Sequence, residues 1–292
     1  MYKDGVGRPH ILGGDIMEYS PKKMQNNLNN YNFHFKKNFG QNFIVDENVI
    51  NSIIEKSNID KNTLVIEIGP GAGSLTSKLS KYAKNVLCYE IDDTLEDVLH
   101  TNLDGDNVDI IFGDFLKCDV ISDIKKYTYD RLYIIANLPY YITTPIIMKI
   151  IEDKIPVSKI VIMVQKEVGD RFKASPGSKD YNSLSIFLQY HFQIKKLLDV
   201  SRNVFLPKPN VDSIVVEFKK SDKKYVVSDE NLLFRLIKDS FTQKRKTLRN
   251  NLKKYDLNTI AIVLEKYNLD LSVRAEQLSL EQFIEVANAL SN

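Results

Sequence analysis

Chemistry is densest in this chain at Asn137-Leu138-Pro139-Tyr140, directly after an apolar strand candidate at residues 132–136. An amide, a backbone carbonyl released by a proline turn and an aromatic ring stand side by side there. The Asn137 amide oxygen and the Leu138 carbonyl can accept both N–H bonds of an exocyclic amine on a planar base, while Tyr140 stacks on its face. Such stacking contributes about 1–3 kcal/mol per base. Phe205, just before Pro207-Lys208-Pro209, is a candidate for the opposite face. An aromatic amine is a weak nucleophile because its lone pair is delocalised into the ring. Accepting both N–H bonds favours the pyramidal form that can attack, so positioning supplies most of the rate. Read alone, the same residues also fit a plain turn with core aromatics.

Upstream, Glu67-Ile68-Gly69-Pro70-Gly71-Ala72-Gly73 supplies a nucleotide-binding turn, in which Gly69, Gly71 and Gly73 let the backbone approach a ligand closely. A dinucleotide fingerprint reads G-x-G-x-x-G, but Ser74 occupies the place of its third glycine, which disfavours a dinucleotide oxidoreductase. The pattern E-x-G-x-G-x-G instead suits S-adenosylmethionine, which has no pyrophosphate to cradle. Glu90 ends the next strand 17 residues after Gly73, at a solvent-facing position from which a carboxylate can accept both ribose hydroxyls. Asp114, after Gly113, can accept from the cofactor's adenine amine. Singly, Glu90 fits a solvated strand-end charge equally well, and Asp114 fits a helix N-cap before Phe115. Jointly they say more. Glu67, Glu90, Asp114 and Asn137 are spaced by 23, 24 and 23 residues, one strand–helix unit each, so all four arrive at one sheet edge. The set predicts methyl transfer from S-adenosylmethionine to the N6 amine of adenine.

These residues need a parallel sheet to hold them. From residue 64 short apolar strands at 64–68, 86–90, 108–112, 132–136 and 160–164 alternate with helical patterns, including 74–82 and 94–102. The alternation predicts an α/β, Rossmann-like sheet that binds its ligand at the carboxyl ends of the strands. Asp46 reads as the N-cap of a helix striped by Val49, Ile50, Ile53 and Ile54. After Asp199 the pattern changes, and residues 213–218 read as a final antiparallel strand. From Asp229 only helical patterns remain. The expected organisation is a flexible N-terminal extension over 1–35, a catalytic methyltransferase domain over 36–220 and a small all-α domain over 221–292.

Composition narrows the class. The chain has 292 residues, 43% of them apolar, enough for one large domain and a small one. No apolar run reaches the roughly 18 residues of a membrane span, and no signal-peptide core opens the chain. Two cysteines, Cys88 and Cys118, are too few for a disulfide framework and fit a reducing cytoplasm. Cys88 reads as buried packing, and the four scattered histidines make no zinc-like spacing with the cysteines, so no metal is expected. A net charge of +2 says nothing of a nucleic-acid partner by itself. Locally, Lys244, Arg245, Lys246, Arg249, Lys253 and Lys254 crowd one expected helix whose Phe241, Leu248 and Leu252 face inward. That run fits a solvated face, or phosphate binding beside a base-modifying site. Lys36, Lys37 and Arg171 would extend the surface.

Taken in order, the motifs resemble the small-subunit ribosomal-RNA adenine dimethyltransferases from about Lys36 to the C-terminus. The matching pieces are Phe39-Gly40-Gln41-Asn42-Phe43, Glu67 to Gly73, Glu90-Ile91-Asp92, Gly113-Asp114, Asn137-Leu138-Pro139-Tyr140, Gln165-Lys166-Glu167-Val168, Pro176-Gly177-Ser178-Lys179-Asp180-Tyr181, Pro207 to Ser213 and Gln243 to Asn251. The resemblance implies cofactor contacts from Asn42, Ile44, Gly69, Glu90, Asp114 and Asn137, the first two of which no spacing argument reaches. It also implies dimethylation of two adjacent adenosines near the 3′ end of small-subunit rRNA during ribosome assembly; a monomer is the default expectation, and no membrane partner is expected. The related family acting on large-subunit rRNA shares the glycine turn and the Asn137 motif, but residues 176–181 and 243–251 resemble the small-subunit family. A non-catalytic RNA-binding assembly or transcription factor on the same fold is the rival of another class. The intact glycine turn, Asn137 and Tyr140 argue against it.

Overall fold

The computed structural model describes residues 42–103, 105–139, 141–223 and 225–291. The expected N-terminal extension, Lys36, Lys37 and Tyr140 lie outside the described residues. The chain enters through a two-residue strand, β1 (Phe43–Ile44), and a helix, α1 (Glu47–Ser57). Asp46 caps that helix, its carboxylate accepting from Asn48 N–H at 2.8 Å and Val49 N–H at 3.4 Å, and Ile50, Ile53 and Ile54 are buried as the stripe requires.

The alternating stretch then builds β2 (Thr63–Ile68), α2 (Ser74–Tyr82), β3 (Asn85–Glu90), α3 (Glu96–Asn102), β4 (Val108–Phe112), α4 (Val120–Ile124), β5 (Arg131–Asn137), α5 (Thr143–Glu152), β6 (Lys159–Gln165) and α6 (Lys166–Phe172). Strands β2 to β6 pair in parallel. Every residue of β2 is buried, as expected where both sheet faces are covered. Alternation divides them: Leu64, Ile66 and Ile68 join Leu87 and Ile134 on one face, and Val65 joins Val86, Cys88 and Ile135 on the other.

Beyond α6 come α7 (Ser183–His191), β7 (Phe192–Val200), β8 (Phe205–Leu206) and β9 (Ser213–Lys220). The seven-stranded order is β4-β3-β2-β5-β6-β9-β7, with β9 antiparallel to both neighbours. The expected antiparallel strand thus lies inside the sheet, and the edge is β7, which the sequence reading does not contain. Adjacent Lys195 and Lys196 and a register shift between Lys196 and Leu198 break its alternation. The ribbon of β1 on β8 stands apart, pairing Phe43 with Leu206 and Ile44 with Phe205.

Four helices follow: α8 (Glu230–Ser240), α9 (Leu248–Asn251), α10 (Leu257–Glu265) and α11 (Leu280–Ser291). Leu233, Leu236, Leu248, Leu252, Ile260 and Phe283 form their core, joined by Tyr181 and Ile186 from before β7. The Tyr181 hydroxyl donates to Leu278 O at 3.1 Å and Gly177 N–H donates to Glu276 O at 2.6 Å, fastening the two regions together. The continuous basic helix expected across residues 241–255 is corrected here. Helix α8 stops at Ser240, and the Leu248 and Arg249 N–H groups donate outside any helix, to Val273 O and Leu271 O. Asn251 Nδ2 donates to Ser240 O at 2.6 Å, satisfying a carbonyl at the broken end. No helix among the described residues is long and apolar enough to cross a membrane.

Candidate active site

The carboxyl ends of β2, β3 and β5 bring Glu67, the glycine turn, Glu90 and Asn137 to one edge, as the spacing requires. Gly69 has φ +71° and Gly71 φ +60°, backbone that an L side chain rarely adopts. A Cβ at Gly69 would meet nothing within 4 Å, so the turn presents open space there; one at Gly71 would lie 2.6 Å from Phe43 Cε1. Phe43 in β1 therefore packs directly over the turn.

Glu90 corrects one expectation. It is only 4% exposed, not solvent-facing, and it braces the turn: Gly71 N–H donates to Oε2 at 3.1 Å and Asp92 N–H to Oε1 at 2.9 Å. Burial raises its pKa, opposed by these two N–H bonds. On the outer side Asn102 Nδ2 donates to Ala72 O at 3.0 Å. The loop is thus held from both sides.

Glu67 is 2% exposed. Burial first, then the nearby Glu90 charge, push its pKa up to about 8. Its Oε2 and the Ser74 hydroxyl are buried with no hydrogen-bond partner among the described residues. Both line a small cleft with Phe43, Ile44, Gly69 and Asn137. Asp114 caps the turn after β4, Oδ1 accepting from Leu116 N–H at 3.0 Å while Lys117 approaches Oδ2 at 3.6 Å.

Asn137 Nδ2 donates to Asn42 O at 2.7 Å. That bond fixes the amide's sense: the nitrogen faces the β1 entry, so Oδ1 faces the other way, as an acceptor. Leu138 is 2% exposed and anchors the backbone in the core, and the turn's own bond runs from Ile142 N–H to Pro139 O at 3.2 Å. Phe205 is 4% exposed and packs with Ile44, Ile50 and Val215, so its ring is core packing rather than an open stacking face.

Residues 32–292 match the model of the family described as ribosomal RNA adenine dimethylase. The chain belongs to the ribosomal RNA adenine dimethylase family. It is 45% identical over 286 residues to ribosomal RNA small subunit methyltransferase A of Macrococcus caseolyticus, covering 93% of this chain and 97% of that one. The same-named protein of Staphylococcus carnosus is 44% identical over 284 residues, covering 93% and 95%. Among solved structures, a dimethyladenosine transferase from Plasmodium falciparum superposes with a TM-score of 0.70 at 25% identity, covering 84% of this chain and 95% of that one. The 23S rRNA methyltransferase ErmE, at 20% identity and a TM-score of 0.68 over 86% of this chain and all of that one, shares the fold. The family member described here is an S-adenosylmethionine-dependent rRNA adenine dimethyltransferase. Its residues fit that cofactor: open space over Gly69 admits close backbone approach, and unpartnered polar atoms of Glu67 and Ser74 line the adjoining cleft.

Spacing alone does not find Phe43 or Asn102. Both reach the turn only through the tertiary fold; Phe43 lies in the Phe39–Phe43 stretch that carries the family resemblance, whereas no local motif marks Asn102. Lys244, Arg245, Lys246, Arg249 and Lys253 are all exposed; Arg249 lies on the short α9 and the others on the turns that flank it, not on one continuous helix. Arg245, Lys246, Arg249 and Lys253 have no ion-pair partner among the described residues, whereas Lys254 pairs with Asp239 at 2.8 Å.

Proposed function

We propose that this enzyme dimethylates N6 of two adjacent adenosines near the 3′ end of small-subunit rRNA, in the cytoplasm during ribosome assembly, and acts as a monomer. The observation that carries the chemistry is the Asn137 amide, which lines the cleft beside the glycine turn and whose nitrogen is engaged by Asn42 O, so that Oδ1 is the acceptor it offers a ligand. The relatives named for the small subunit support the choice of RNA.

S-adenosylmethionine, when bound, supplies a methyl group on a sulfonium that leaves as a neutral thioether. Gly69, Gly71, Gly73, Glu67, Glu90, Asp114, Asn42 and Ile44 are the residues we assign to hold it. Asn137 Oδ1 and the Leu138 carbonyl accept the two N–H bonds of the target amine and direct its lone pair, and Tyr140 stacks on the base. No strong base is needed, because the amine's acidity rises as it is alkylated and its proton can leave to water. The domain over 36–220 does this chemistry. The helical domain over 221–292 presents Lys244, Arg245, Lys246, Arg249 and Lys253 to RNA phosphates.

Asn137→Ala tests the reading. With saturating cofactor and a pre-bound small-subunit particle, single-turnover methylation should fall about 10²–10³-fold while RNA affinity changes little. Near-normal rates would reduce Asn137 to a turn residue.

A further inference from the structure

We propose that a second cleft, beside the target-base site, binds the nucleotide next to the adenosine being methylated and prefers a base that carries an amino group there. The inference rests on the substrate reading above and extends it to a flanking position.

The cleft encloses about 520 Å³, within the usual range for sites that hold a ligand of nucleotide size. It begins at Gln165, the last residue of β6. Strand β6 runs parallel to β5 with Asn137 opposite Met163, so Gln165 lies one strand across and two residues further along. Strand spacing and rise place it about 8 Å from Asn137. That is comparable to the step between consecutive nucleotides of an unstacked strand.

Three segments remote in sequence meet to build the wall. Lys166 N–H donates to Asp212 O at 3.0 Å, and Arg202 donates to Asp212 Oδ1 from both its backbone N–H and Nε at 3.0 Å. Lys244 Nζ donates to Lys179 O at 2.9 Å, so the basic segment leads into the same wall.

The charges can be sorted. Of the lining carboxylates, Glu167 pairs with Arg171 at 3.2 Å, Asp170 with Lys173 at 3.0 Å and Asp212 with Arg202 at 3.0 Å. Lys166, Lys179 and Asp180 also line the cleft and have no ion-pair partner among the described residues. What remains for a ligand is two ammonium groups, one carboxylate, the Gln165 amide and the apolar Val211, which is 41% exposed. Ammonium groups suit a phosphodiester, and Val211 suits the face of a base. A carboxylate accepts from an amino N–H and repels a carbonyl edge, while an amide can both donate and accept. Adenine, cytosine and guanine therefore fit the edge better than uracil.

The test uses the full chain and small-subunit rRNA. The photo-crosslinking residue p-benzoylphenylalanine replaces Val211, and the crosslinked nucleotide and the methylated adenosine are mapped on the same RNA. Adjacent positions are expected; a crosslink elsewhere, or none, overturns the proposal. In parallel, the Gln165→Ala/Asp180→Ala double variant should lose about tenfold in kcat/KM for RNA, mainly through KM, with S-adenosylmethionine affinity unchanged by calorimetry. Uracil at the neighbouring position should cost the wild type a similar factor and the double variant little more. Additive losses, or an unchanged kcat/KM, would also overturn the flanking site while leaving the methyltransferase reading intact. A wild-type chain that methylates no rRNA adenosine sinks both.

Discussion

Replacing Glu67 with Gln should remove one large share of the pH dependence of stability. The Glu67 carboxyl is fully inside the protein, with a folded-state pKa near 8 against an ordinary 4.5. Between those values the folded chain holds a proton that the unfolded chain has released. The folded state therefore binds more protons, and the Glu67 contribution to stability falls as pH rises from about 4.5 to about 8, then levels off. Glutamine has the shape of the neutral acid and does not titrate. Each unit of displacement is worth about 1.4 kcal/mol, so the variant should gain on the wild type by on the order of 3 kcal/mol at pH 7 and about 4 kcal/mol at pH 8. Below pH 4.5 the two should converge. Urea unfolding of both chains over pH 5–8.5 measures the difference directly. A gap that stays constant across that range would refute the buried, protonated carboxyl and the reasoning built on it.

The glycine turn offers a paired comparison. Gly71→Ala combines left-handed backbone with a 2.6 Å approach to the Phe43 ring, and should lose about 2–3 kcal/mol in denaturant unfolding as well as cofactor affinity. Gly69→Ala meets no neighbour, so it should lose only about 1–2 kcal/mol yet still weaken S-adenosylmethionine binding by calorimetry. Equal stability losses would contradict the geometry. Glu90→Ala should weaken cofactor binding and also destabilise the fold, by about 1–3 kcal/mol for each of the two buried N–H groups it strands; an unaltered unfolding midpoint would show that the brace is dispensable. Arg245→Ala/Arg249→Ala should lower the log–log salt slope of RNA affinity by roughly 0.7–0.9 per lost phosphate contact, and an unchanged slope would leave the basic segment a solvated surface.

Legibility in the sequence followed the range of the interactions. The β2 turn and the Asn137 motif are local, and their spacing of one strand–helix unit carried Glu67, Glu90, Asp114 and Asn137 to the proper edge before any tertiary contact was known. Edge strand β7 was illegible because a half-exposed strand with two adjacent lysines and a bulge has no period to detect. The basic helix failed for the opposite reason. Leu248 and Leu252 are buried, and Phe241 packs against the same core, so the apolar set was sound. Its even spacing nonetheless gave no sign that the helix stops at Ser240 and that Leu248 and Arg249 bond instead to Val273 O and Leu271 O. Glu90 was misplaced to solvent because a strand-end carboxylate gives no sign that a folded-over loop will cover it.

The ribbon of β1 on β8 sets the order in which this site can come into being. Phe43 closes over the glycine turn, and Asn42 orients Asn137, at the point where β1 joins a strand made long after the parallel sheet. On a ribosome still synthesising this chain, the strands carrying Glu67, Glu90 and Asn137 emerge and can pair while Phe205 and Leu206 do not yet exist. Until those two residues leave the exit tunnel, β1 lacks the strand that pairs with it. Ligand binding should therefore tighten late in synthesis, and a chain shortened to end before β8 would carry the sheet-edge motifs under a β1 without its strand partner.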